Sequence, residues 1–266
     1  MLKNYHTHTY RCHHALNTDE EYVQTAVECG FSVLGFSDHA PYIYPDGYVS
    51  DYKMTPGEAP EYCESILSLK EKYKDKIDVK LGLEAEYYPE LFSNTLDFWR
   101  SLPFDYIILG QHFAGKEYEI GEGRMNSGKP SDSEEKLIKY TDLVVDAVKT
   151  GIFTYVCHPD LINYTGSDRE AFRREMRRIA VAAKEEGVPL EINLLGIRGG
   201  RHYPCEDFLR ILGEEGTPAI IGFDAHSTPD LKNMQAYEVA LHAVDKYGIK
   251  LQDSLELRPV SPTRKL

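Results

Sequence analysis

The feature that most constrains this chain is a repeated alternation of strand-forming and helix-forming segments, with strand after strand ending on His, Asp or Glu. Strand character falls at Leu2–His6, Phe31–Asp38, Ile77–Glu86, Asp105–Gln111, Phe153–Cys157, Pro189–Asn193 and Pro218–Phe223. Helical signals separate them. Thr18-Asp-Glu-Glu21 is a capping box, followed by an apolar face of Tyr22, Val23, Ala26 and Val27 and a stop at Gly30. Thr55-Pro56 opens a second helix with Pro at its first position. Pro89–Ser101 and Asp132–Thr150 read as the third and fourth. Ser167 to Glu170 caps a long fifth helix carrying Phe172, Met176, Ile179 and Ala183 on one face. Glu206–Gly213 is a sixth, and Thr228-Pro229 opens the last, which ends at Gly248.

Strands joined through helices run parallel, because parallel pairing needs a crossover. The pattern predicts an α/β fold, a distorted (β/α)7 TIM-like barrel formed as one domain over residues 1–266, one unit short of the eightfold type. An open doubly wound sheet is the alternative. Ile249–Leu257 is left over as an edge segment. The longest loops, Ala40–Pro56 and Phe113–Lys129, follow strands two and four and are placed to form a lid or specificity wall.

In a parallel barrel all the carboxyl ends meet on one face. That face would collect His6, His8, His13, His14, Asp38, His39, Glu84, Glu86, His112, His158, Asp224 and His226. In His6-Thr-His8 the two imidazoles are two residues apart, so an extended backbone points both to one side. Asp224-Ala-His226 repeats the spacing. Imidazole with carboxylate is a donor set for Zn, Mn or Fe, whereas Ca and Mg prefer oxygen. A carboxylate such as Glu84 has two oxygens and can bridge two ions. A single His is more often a hydrogen-bonded structural residue than a ligand. Six strand ends with such residues are not, because burying so many polar groups is costly unless they are paired or metal-bound. His13 reads as a solvent-facing loop residue and His242, on the last helix, as structural.

Composition bounds the partners. The formal net charge is −13, which disfavours broad contacts with nucleic acid or anionic membranes. No apolar run approaches the ~20 residues of a membrane span, and the amino-terminal stretch lacks signal-peptide character. The 5 cysteines are scattered and unpaired in pattern, as expected of free thiols in the cytoplasm.

The segments His6-Thr-His8, Ser37-Asp38-His39, Gly82-Leu-Glu84, Gly110-Gln-His112, Cys157-His158-Pro159 and Phe223-Asp224-Ala-His226 resemble, in order, those of the PHP (polymerase and histidinol phosphatase) family. Glu191-Ile-Asn193 followed by Leu195-Gly-Ile-Arg198 resembles its stand-alone histidinol-phosphatase branch. The resemblance implies the (β/α)7 barrel and two or three divalent ions (Zn, Mn or Fe). It implies a first position held by His6, His8, Glu84 and Asp224. A second would be held by Glu84, His112 and His158, and a third by His14, His39 and His226. It also implies hydrolysis of L-histidinol phosphate in histidine biosynthesis.

For such a reaction, metals would activate water for in-line attack and offset the charge that develops on phosphate. Asp38 is expected to orient a ligand imidazole and His226 to act at the reaction centre. Arg198 is the expected bidentate phosphate clamp, with Arg201 and His202 as further substrate contacts. Tyr42, Tyr44 and Glu86 are candidates for a wall facing a cationic leaving group. A homo-oligomer is compatible with this reading. The competing readings are another small phosphate ester or nucleotide as substrate, an amidohydrolase bridged by a carboxylated Lys on strand four, and a metal-binding protein without catalysis.

Overall fold

The computed structural model describes residues 1–119 and 125–260. The strands are β1 (Leu2–Asn4), β2 (Phe31–His39), β3 (Asp78–Ala85), β4 (Tyr106–Leu109), β5 (Leu190–Asn193) and β6 (Ala219–Gly222). The helices are α1 (Asp19–Glu28), α2 (Ala59–Tyr73), α3 (Pro89–Arg100), α4 (Glu134–Lys149), α5 (Arg169–Glu185), α6 (Leu194–Arg198), α7 (Glu206–Glu215), α8 (Thr228–Leu231) and α9 (Met234–Tyr247). All strand pairing is parallel, in one sheet ordered β1-β2-β3-β4 and a second pair β5-β6. This is an α/β fold with a curled parallel sheet. No helix is long and apolar enough to cross a membrane among the described residues.

The expected fifth strand, Phe153–Cys157, is reduced to bridges at Val156, which pairs with Leu109 on one side and Leu190 on the other. Its backbone is still bonded on both flanks: Leu109 N donates to Tyr155 O at 2.9 Å, and Glu191 N to Val156 O at 2.9 Å. At the opposite edge Thr7 bridges Ala225. Asn4 latches that junction, since its Oδ1 accepts from the amides of His6 (3.1 Å) and Phe223 (3.0 Å). The carboxyl-terminal segment contributes a bridge from Leu251 to Ala219.

Local chemistry set most boundaries. The Thr18–Glu21 capping box forms as expected, and Gly30 follows α1 with φ 75°. Two starts differ. Thr55–Gly57 makes a turn in which Glu58 accepts from Thr55 N at 2.7 Å, so α2 begins at Ala59. Asp168, not Ser167, caps α5 by accepting from Ala171 N. The last predicted helix is two: Ser227 caps the short α8, and Asn233 caps α9. The apolar core lies between the sheet and the helices, with Phe36, Leu81, Leu83, Trp99, Val144 and Ile179 almost wholly buried.

Candidate metal centre

The register of β2 and β3 sets His39 opposite Glu84, at the carboxyl end of the sheet. The neighbouring strand ends bring the remaining imidazoles around the same carboxylate. Glu84 Oε2 lies 2.9 Å from His39 Nδ1, 3.4 Å from His8 Nε2 and 3.7 Å from His6 Nε2. Its Oε1 lies 2.8 Å from His158 Nε2 and 3.6 Å from His112 Nε2. Asp224 Oδ1 sits 3.2 Å from His8 Nε2, 3.3 Å from His226 Nδ1 and 3.6 Å from His6 Nε2. His14 Nε2 faces His226 Nε2 at 3.1 Å, and the rings of His14 and His39 are 5.4 Å apart. His13 takes no part: it caps a 3-10 turn at φ 65° and is exposed.

Two observations fit a cation better than a self-contained hydrogen-bond network. Glu84 Oε2 and Asp224 Oδ1 are buried yet accept no properly directed hydrogen bond. In addition, Nε2 of His6 and Nε2 of His8 confront each other at 3.2 Å, beside both carboxylates. Two groups offer donor atoms mutually within 4.8 Å in expected combinations, His6-His8-Asp224 and His14-His39-His226; another, His8-His39-Glu84, joins residues expected at two different positions. A fourth adds Cys157 to His6, Glu84 and His158. The donors are the nitrogen-rich, carboxylate-bridged kind suited to Zn, Mn or Fe.

The electrostatics hold the carboxylates charged and divide the imidazoles into a lowered and a raised set. Burial pushes Glu84 upward, but His39, His112 and His158 outweigh it and hold the carboxyl well below its usual range. Asp224 is likewise held low by His6, His8 and His226 against its burial. Burial keeps His39 and His226 well below the ordinary imidazole range, which leaves lone pairs free to ligate. For His6, burial is outweighed by the Asp224 and Glu191 carboxylates, and the imidazole is raised to about 10.

Supporting groups fix the rings. Asp38 Oδ1 lies 3.4 Å from His8 Nδ1, and the same carboxylate accepts from the hydroxyl of Thr9 and from His39 N. Asp38 is therefore set behind His8, where an orienting partner belongs. Glu191 does the same for His6, with Oε1 at 2.8 Å from Nδ1, while its Oε2 accepts from His158 N and Asn193. Glu191 carries this role without a strand-end position to mark it in the sequence. Two glycines make room: a Cβ on Gly110 would sit 1.9 Å from Glu84 Oε1, and one on Gly222 would sit 1.7 Å from Glu191 Oε1. His158 (φ 31°) and Asp224 (φ 48°) adopt backbone conformations rare for non-glycine residues. Strain of that kind persists where the surroundings over-determine a functional position.

The cluster forms the floor of a cavity of about 510 Å³. Its walls carry Asp51, Tyr52, Asn126, Leu161, Leu195, Arg201 and Tyr203. Arg198 is not at this cavity. Its guanidinium donates to the carbonyls of Phe223 (2.5 Å) and Asp224 (2.6 Å) and pairs with Asp230 (3.0 Å). The cause is α6, which Asn193 caps and which tucks Arg198 beneath the end of β6. The expected clamp thus braces the Asp224 turn. Arg201 does line the cavity, with Nη1 donating to Tyr203 Oη at 2.8 Å. His202 is bonded to the Leu161 carbonyl at 2.8 Å and does not line it. Tyr42, Tyr44 and Glu86 are buried behind the wall, whereas Asp51 and Tyr52, from the same long loop, face inward. For the second loop, Phe113–Lys129, Asn126 reaches the cavity, and residues 120–124 lie outside those described.

A parallel α/β scaffold with His and carboxylate donors gathered at its carboxyl end defines a metallohydrolase-type centre. The chain belongs to the PHP domain family, whose model matches residues 4–194. It is 31% identical over 228 residues to the Deinococcus radiodurans protein named "Probable histidinol-phosphatase", covering 83% of this chain and 85% of that one. It is 28% identical to the histidinol-phosphatase of Lactococcus lactis over 71% of this chain and 70% of that protein. Among solved structures, the Lactococcus lactis histidinol phosphate phosphatase in complex with Zn, L-histidinol and phosphate superposes with a TM-score of 0.71. That match has 21% identity and covers 96% of each chain.

Proposed function

We propose that this protein hydrolyses L-histidinol phosphate to L-histidinol and phosphate, using two or three divalent ions. The observation that carries the reading is Glu84, whose two oxygens face five imidazoles and whose Oε2 lacks a directed hydrogen bond. The first ion is assigned to His6, His8, Glu84 and Asp224. Glu84, His112 and His158 would hold a second, and His14, His39 and His226 a third. Zn, Mn and Fe all suit these donors. We also read the Val156 and Ala225 bridges as closing the sheet into a seven-membered barrel over a single unit, residues 1–266.

Bound there, such ions supply Lewis acidity toward phosphoryl oxygens and a nucleophile from water at neutral pH. The chain supplies the rest. Asp38 and Glu191 hold His8 and His6 in register. His226, at the rim beside Asp224, belongs to the reaction centre. Arg201 is the cavity cation we assign to the phosphate, with Tyr203 steadying its guanidinium; a planar fork suits phosphate oxygens. Asp51 lines the mouth and makes no ion pair among the described residues, so we assign it to the cationic amine or imidazole of the leaving group. Tyr52 offers its ring beside it.

The primary test is phosphate release from L-histidinol phosphate beside a panel of other phosphomonoesters, before and after metal stripping. Selective turnover that is lost on stripping and restored by Zn, Mn or Fe supports the reading. A metal-dependent activity without preference for histidinol phosphate would retain the centre and reject the substrate. Asp51→Asn tests the specificity wall. Losing a charge-assisted contact of about 1.5–3 kcal/mol corresponds to a KM rise of roughly 10–100-fold on histidinol phosphate. The kcat/KM on an ester without a cationic leaving group, such as p-nitrophenyl phosphate, should stay constant. An equal loss on both substrates would remove Asp51 from this role.

A further inference from the structure

Lys53 is a buried cation that the chemistry above does not use. It lies in the loop after β2 and is 1% exposed. Its Nζ is 2.6 Å from Glu86 Oε2, 2.5 Å from Glu117 Oε2 and 3.0 Å from Tyr44 Oη. The rings of Tyr42, Tyr44, Tyr52 and Tyr88 surround it at 4.8–5.8 Å. Both carboxylates are as buried as the lysine. Tyr44 Oη also donates to Glu117 Oε2, at 2.5 Å. The other oxygen of Glu86, Oε1, lies 3.2 Å from Nδ1 of His112.

A buried triad of one ammonium and two carboxylates is a poor way to gain stability, because desolvation of the three charges offsets most of their attraction. What it does provide is fixed geometry. The three residues come from three segments: the loop after β2, the end of β3 and the loop after β4. Two of these loops wall the cavity, and Tyr52, next to Lys53 in the chain, faces into it. The third leg ends on an imidazole of the metal centre.

We infer that Lys53 is a positioning residue for the metal centre: through Glu86 it aims His112, and through Glu117 it ties both cavity walls to that ligand. The inference rests on the assignment of His112 as a ligand made above. Without the ammonium, Glu86 and Glu117 face each other as buried like charges and separate, and Glu86 leaves His112 Nδ1. Loss of an outer partner of a ligating imidazole typically weakens metal binding or activity by about 10–100-fold.

The test is Lys53→Met in the full-length protein, read by metal content after equilibration with graded chelator and by steady-state kinetics. Glu86→Gln and Glu117→Gln are made alongside. Lys53→Met and Glu86→Gln should each lose one equivalent of metal at a roughly 10–100-fold lower chelator concentration than wild type. Their kcat should fall with that loss, and the double variant should be no worse than either single one. Glu117→Gln keeps the Lys53–Glu86–His112 leg and should retain its metal. Lys53→Arg restores the charge and should recover part of the retention. If Lys53→Met keeps all its metal at wild-type chelator resistance, the inference is overturned. Should Lys53→Met not fold, Glu86→Gln and Lys53→Arg decide: full retention in both overturns it as well. A wild-type protein that binds no metal would reject the metal assignment itself, a result separable from either of these.

Discussion

Glu84→Gln should lower kcat on L-histidinol phosphate by roughly 10³-fold and leave purified protein depleted of metal. The substitution is nearly isosteric, so its effect is on charge and ligation. Five imidazole nitrogens lie 2.8–3.7 Å from the two Glu84 oxygens. A Gln places an amide N–H among nitrogen lone pairs, where the proposed bridge needs an anion, and removes one negative charge from the two proposed ion positions. Electrostatic stabilisation by a metal is worth several kcal/mol in the transition state, and each 1.36 kcal/mol is tenfold in rate. Steady-state kinetics and metal analysis check it. A variant with full metal content and a kcat within a few-fold of wild type would remove Glu84 from the bridge. Glu84→Asp, which retracts the carboxylate, should show an intermediate loss of activity.

The site was largely legible because parallel α/β architecture converts a one-dimensional pattern into a place. Once strands end on His6, His39, Glu84, His112, His158 and Asp224, crossover connections force those ends to one face. The structure does bring the imidazoles of His6, His39, His112 and His158 within 3.7 Å of the Glu84 carboxylate, with Asp224 3.6 Å from His6. The supporting layer was less legible, because it depends on which way side chains turn. Glu191 and Asn193 alternate along β5, so both face the interior, and that spacing is the signal that would have found them. Lys53, Glu86 and Glu117 belong together only through the tertiary fold, since 64 residues separate Lys53 from Glu117.

Arg198 shows the opposite error. A basic residue in a Gly-rich segment near a phosphate site looked like a clamp. However, Asn193 is a favoured N-cap, and it accepts from Gly196 N to start α6. That single turn carries Arg198 to the carbonyls of Phe223 and Asp224 and leaves Arg201 at the cavity. The fifth strand failed for a related reason. Its hydrogen bonds exist on both flanks, but the chain turns at His158 with φ 31°, so little ladder remains to be counted as strand.

Metal stripping should also lower thermal stability by about 15 °C or more. Ions present at ~1,000 times their dissociation constants each add about 4.1 kcal/mol to the folded state, and two such sites about 8 kcal/mol. For a chain of this size each kcal/mol is worth about 2–4 °C in Tm. The metal-free centre still has compensating imidazoles: His6 between Asp224 and Glu191, and His8, where burial is outweighed by Asp224 and Asp38 and the imidazole is raised. The His6 imidazole is raised from the ordinary 6.5 to about 10. Stability from a raised imidazole is fully present below the ordinary value and is lost as pH rises through the raised one. The stripped protein should therefore weaken between pH 7 and 10, while metal binding strengthens as competing protons leave. Over that range the carboxyls of Glu84 and Asp224, held low, stay charged and contribute a constant term. The gap in Tm between loaded and stripped protein should widen with pH, as measured by calorimetry at pH 7, 8 and 9. A gap that is absent, or that narrows, would mean that imidazolium–carboxylate pairing alone holds the cluster together.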